Sequence, residues 1–84
     1  MKNFQTLDEI ELYLKEKVSI LLNLEVDKIP SNASLVDELG ADSIAIVQLF
    51  VYIQEDFGLD MNENLNLGQT ITINMIANYI KDNI

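Results

Sequence analysis

An all-α fold, a small four-helix bundle of three long helices and one short one, follows from three observations on the 84-residue chain. Apolar residues recur at three- and four-residue spacing in three separate segments, the pattern of amphipathic helices. The links between those segments carry the residues that stop helices, Pro30, Gly40 and Gly58 among them. The length suits one small domain over residues 1–84, and a 49% hydrophobic content can build its core without metal or disulfide staples. No internal repeat, heptad pattern or low-complexity tail argues for another architecture.

The first helix is expected over residues 7 to about 23. Leu7, Ile10, Leu14, Val18 and Leu21 form one apolar stripe, and Thr6 with Glu9 makes a T-x-x-E capping box at its start. A long connection follows, "NLEVDKIPSNASLVDELGA". Pro30 biases Ile29 away from helix, and Ser31, Asn32 and Gly40 punctuate the rest. Loops of this length are usually anchored or functional. Val26, Ile29, Leu35, Val36 and Leu39 are the expected anchors, with one short turn near 34–39.

The second helix is expected from Asp42 or Ser43 to about Phe57, stopped by Gly58. Ile46, Leu49, Phe50, Ile53 and Phe57 form its core-facing stripe, while Ile44, Val47 and Val51 form a second stripe beside the first. A helix apolar on two faces is either deeply buried or keeps one face for a partner. The short helix is expected around 62–67. There Asp60, Asn62 and Asn64 imitate the start of a calcium loop, but Leu65 and Ile71 replace the glycine and glutamate such a loop needs. The last helix begins near Thr72, capped by Thr70 or Thr72, with Ile73, Ile76, Ala77 and Ile80 inward.

Composition narrows function by exclusion. The chain lacks cysteine and histidine, which removes disulfides, thiolate nucleophiles, ordinary zinc sites and the usual neutral-pH general base. Enzymatic chemistry within the chain is not expected. Fourteen acidic residues against five lysines give a formal net charge of −9. No cation lies between Lys28 and Lys81, whereas Asp37, Glu38, Asp42, Glu55, Asp56, Asp60 and Glu63 do. Nucleic acid and anionic membrane are therefore disfavoured, and proteins with basic patches are favoured. The N-terminal residues contain no apolar h-region and no run reaches the ~20 residues of a membrane span, so a cytoplasmic monomer is expected.

Ser43, in "ELGADSIAIVQLF", heads the second helix. The plainest reading makes Asp42 or Ser43 an N-cap. A hydrolase nucleophile would need an adjacent base, and no histidine exists to supply one. Modification by another enzyme is the third reading. A hydroxyl at a helix N-terminus is exposed, and the amides and positive dipole end there favour an incoming phosphate.

The segment "ELGADSIAIVQL" resembles the attachment signature of the acyl carrier protein family, in which a glycine and an Asp-Ser dipeptide precede a bulky aliphatic residue and the second helix. The similarity runs through the first helix, the loop with "NASLVDELGADS", the second helix ending "EDFGLDM" and the last helix "TINMIANYI". It implies an acyl-carrier-type bundle with 4′-phosphopantetheine attached covalently to Ser43 by a phosphopantetheinyl transferase that uses coenzyme A and magnesium. It further implies a stand-alone carrier whose acyl cargo rides as a thioester on the arm's thiol, for fatty-acid, polyketide or related specialised biosynthesis. Loading, condensing and acyl-transferring enzymes with basic docking patches would meet Asp42, Ile44, Val47, Val51 and Glu55, transiently and with salt-sensitive rates.

The second helix departs from the pattern of fatty-acid carriers at Ala45, Gln48 and Gln54, neutral where acids are common, and at Ile44 in place of leucine. A dedicated carrier with fewer partners fits these residues at least as well as a general one. An aminoacyl carrier, for D-alanyl or peptidyl groups, is the alternative within the class, and an unmodified helical adaptor the alternative outside it.

Overall fold

The computed structural model describes residues 6–61 and 70–84. The helix expected around 62–67 lies outside the described residues. Among the described residues, three α-helices appear: α1 over Leu7–Leu22, α2 over Ser43–Phe57 and α3 over Ile73–Asn83. Each begins where a side chain can satisfy the first-turn amides. Thr6 and Glu9 form the expected reciprocal capping box on α1, and the Thr72 hydroxyl accepts from Met75 N on α3. The helices α1 and α2 end at residues in the left-handed region, Asn23 (φ 57°) and Gly58 (φ 73°), whose amides bond back to Ser19 and Gln54 carbonyls.

The helix α1 packs against both other helices and carries the middle of the core. Its Ile10, Leu14 and Val18 meet Ile46, Leu49, Phe50, Ile53 and Phe57 of α2 and Ile73, Ile76, Ala77 and Ile80 of α3, all buried. Leu7 and Leu21, at the ends of the expected stripe, are half-buried. Tyr13 joins the core although it lies off that stripe. Its ring stands edge-on to Phe57 at 5.2 Å, and its hydroxyl donates to the Tyr52 carbonyl and the Asp56 carboxylate.

The connection from α1 to α2 is anchored twice. A 3₁₀ turn at Val26–Lys28, which the sequence pattern does not announce, brings Ile29 into the core. Further on, Leu35 N donates to the Ile71 carbonyl at 2.9 Å, and Asn74 N to the Ser31 carbonyl at 2.8 Å. Both oxygens of Glu11 accept across this junction, from the Ser31 hydroxyl and from Asn74 Nδ2. The loop is thus tied to α1 and to the start of α3 together. Of the five expected anchors, Ile29 and Leu35 are buried, and Val26 and Leu39 half-buried. Val36 is 48% exposed, a correction to its expected place in the core. The turn at 34–39 folds both Glu38 N and Leu39 N onto the Ser34 carbonyl, and neighbours on so tight a turn cannot face the same way. Leu35 points in and Val36 out. No described helix is long and apolar enough to cross a membrane.

Candidate functional site

The stretch Gly40-Ala41-Asp42-Ser43 assigns one task to each residue. Gly40 takes φ 80°, a left-handed backbone that costs an L side chain about 1–2 kcal/mol, and so reverses the chain out of the 34–39 turn. Ala41 is buried, with its amide bonded to the Leu35 carbonyl at 2.8 Å. Asp42 adopts extended backbone and its Oδ1 accepts from Ala45 N at 2.8 Å. The cap on α2 is therefore Asp42, and Ser43 is left as the exposed first residue of the helix. Of the two capping candidates in the sequence, the structure selects the one that frees the hydroxyl.

The other residues expected at the site lie on one side of α2. At about 100° per residue, Ile44, Val47, Val51 and Glu55 fall within an arc of about 80°. Ile44 is 66% exposed, Val47 44% and Val51 47%, and Glu55 is exposed as well. The opposite arc, Ile46, Leu49, Phe50 and Ile53, is buried. The second apolar stripe thus faces solvent and is not a second core face. Asp42 stands at the serine end and Glu55 at the far end.

Val36, expected in the core, instead lies beside Ser43. With Ala41, Asp42, Ser43, Ile46 and Ile71 it lines a hollow of ≈ 220 Å³ beside the serine. A substituent on Ser43 Oγ has space there without displacing backbone. The amides of Ser43 and Ile44 precede the first backbone bond of the helix, Ile46 N to the Asp42 carbonyl, so the positive end of α2 adjoins the same hydroxyl. An exposed hydroxyl, open space and a helix N-terminus together fit a phosphodiester-linked group. Among the described residues, the clearly perturbed titratable side chain lies at the other end of α2, against Tyr52 and Asp56. Burial, then the bond to Asp56, then the charges of Asp56 and Glu55 hold Tyr13 protonated far above the usual tyrosine range.

Comparison with known proteins bears on the same stretch. The model of the "Phosphopantetheine attachment site" family matches residues 12–80. The acyl carrier protein of Buchnera aphidicola subsp. Schizaphis graminum is 39% identical over 57 residues, 68% of this chain and 72% of the relative. That of Desulforapulum autotrophicum is 36% identical over 61 residues, covering 73% and 78%. That of Zymomonas mobilis subsp. mobilis is 33% identical over 69 residues, covering 82% and 87%. A covalent 4′-phosphopantetheine arm supplies the thiol that a chain without cysteine lacks, and the chain holds acyl groups without transforming them. Such a domain interacts with a phosphopantetheinyl transferase and with biosynthetic enzymes. Helix order, exposed serine and matched residues agree: the chain belongs to the acyl carrier protein family.

Proposed function

We propose that Ser43 is the attachment point of the arm, that residues 1–84 act as one carrier domain, and that visiting enzymes dock on Asp42, Ile44, Val47, Val51 and Glu55. The observation that carries the assignment is the division of labour at the head of α2. Asp42 makes the capping bond, leaving Ser43 exposed beside the hollow. In the transfer, Ser43 Oγ loses its proton to a base on the transferase and forms a new bond to the phosphorus next to the pantetheine of coenzyme A. The bond from that phosphorus to the adenosine 3′,5′-bisphosphate half breaks, and that half departs with the electron pair. The arm then supplies a terminal thiol for thioester formation. This chain's part is to present the hydroxyl on a rigid helix and to hold cargo at high effective concentration near each docked enzyme. The cytoplasm is the compartment proposed.

Incubation of the purified chain with coenzyme A, magnesium and a promiscuous transferase should add one phosphopantetheine by intact mass, and Ser43→Ala should add none. Absence of the adduct, or an equal adduct on Ser43→Ala, would overturn the assignment. Fatty-acid and polyketide intermediates are the cargo classes proposed, with the neutral Ala45, Gln48 and Gln54 favouring a dedicated pathway. The same three residues also suit an aminoacyl carrier. Intact mass of the chain from its native cell separates these cargoes.

A further inference from the structure

From Ser43 to Gln54, three turns of α2, the chain carries no charged side chain. The exposed part of that span is apolar or neutral: Ile44, Val47, Gln48, Val51 and Gln54. Asp42 and Glu55 bracket it, and their positions are separated by about 20 Å at 1.5 Å per residue. That distance exceeds the roughly 8–10 Å screening length at physiological salt, so the acids at the two ends of the strip, Asp42 with the preceding Asp37 and Glu38, and Glu55 with Asp56, do not merge into one field along its middle. Asp56, the next acid on α2, is turned to the Tyr13 hydroxyl. One flank of the strip even bears a cation, since Lys17 Nζ lies 4.9 Å from the centre of the Tyr52 ring, next to Val51 in sequence. A partner presenting lysines or arginines along the middle of this helix would find no counter-charge on α2 between Asp42 and Glu55, and those cations would lose their hydration.

Resting on the assignment of Ser43 above, we propose that the enzymes docking here meet the middle of α2 with an uncharged apolar ridge about 10 Å long. Their cations are confined to the two ends, opposite Asp42 and Glu55. Attraction by the net charge of −9 steers the encounter from a distance, whereas burial of Ile44, Val47 and Val51 sets how long the complex lasts. Salt and strip mutations therefore act on different rate constants.

The test uses the phosphopantetheinyl transferase of the same organism, immobilised, with the Ser43→Ala chain as analyte so that no transfer intervenes. Association should slow as NaCl rises from 50 to 400 mM, while the dissociation rate changes less than twofold. Val47→Ser and Val51→Ser, added singly to Ser43→Ala, should each speed dissociation about five- to tenfold. Dissociation that accelerates more than fivefold with salt, or that ignores both valine substitutions, overturns the proposal. So does a concentration-dependent dimer of the chain, seen by sedimentation and abolished by Val47→Ser, because the strip would then be covered by a second copy. The mass measurement on the unsubstituted chain is independent: an adduct on Ser43 with the wrong rate pattern removes this proposal alone.

Discussion

Tyr13 shows at the scale of one residue how a side chain off the apolar stripe can become structural. Its hydroxyl lies between the Asp56 carboxylate and the Tyr52 carbonyl, with Lys17 Nζ 5.4 Å from its ring centre. Burial first, and then the adjacent carboxylates, disfavour the phenolate and raise its pKa far above the unfolded value near 10. A raised folded-state pKa contributes stability that is complete below the unfolded pKa. It is lost as pH rises above about 10, because the unfolded chain releases this proton and the folded chain does not. The urea midpoint should therefore decline between pH 10 and 11.5, and decline less in Tyr13→Phe. An equal decline in the variant would place the loss on other groups, the lysines included.

On α2 the two faces make opposite predictions. Ile53 is fully buried, so Ile53→Ala should cost about 2–5 kcal/mol of unfolding free energy. Val51, two residues before it, is 47% exposed, and Val51→Ala should stay within about 0.5 kcal/mol. Chemical denaturation of the two variants measures both, and similar losses would mean that the second stripe is core. The sequence separates these faces without coordinates, because a 3.6-residue period cannot point Ile44, Val47 and Val51 the same way as Ile46, Leu49, Phe50 and Ile53. Helix ends were equally legible where a cap competes with no other task, as at Thr6 and Gly58, whereas for α3 the sequence left Thr70 and Thr72 open and the bond from Met75 N selects Thr72. The choice between Asp42 and Ser43 was not legible either, since both are strong caps and only the Oδ1 bond to Ala45 N decides. The loop was the least legible. Its apolar residues carry no period, so Val36 reads like Leu35 until the pairing of Leu35 N with the Ile71 carbonyl sets which one turns inward. The junction of Glu11, Ser31 and Asn74 joins residues up to 63 positions apart, beyond the reach of any local pattern.

For the molecule as a whole, the acidity that suits docking works against compactness. Folding gathers a net charge of −9 onto a small body, and self-repulsion opposes it at every site. Five lysines stand against fourteen acids, and two of the lysines are already engaged. Lys28 pairs with Glu25 on an exposed turn, where such pairs are worth little, and Lys17 lies over the Tyr13 and Tyr52 rings. Along the chain no cation is interleaved with the acids between Lys28 and Lys81. Screening should therefore stabilise the fold, and Tm should rise by several degrees as NaCl goes from 20 to 300 mM, since about 1 kcal/mol corresponds to roughly 4–8 °C in a domain this small. A general salt effect on apolar burial would raise Tm equally in all variants. Repulsion would not: neutralising exposed acids, with Asp37→Asn and Glu55→Gln together, should raise Tm at low salt and flatten its salt dependence. Unchanged slopes in that double variant would show that the carboxylates are too far apart in the folded chain to oppose it. A flattened slope would make part of the acidity a stability cost retained for steering partners, which slower association of the same variant with its transferase at 50 mM NaCl would then demonstrate directly.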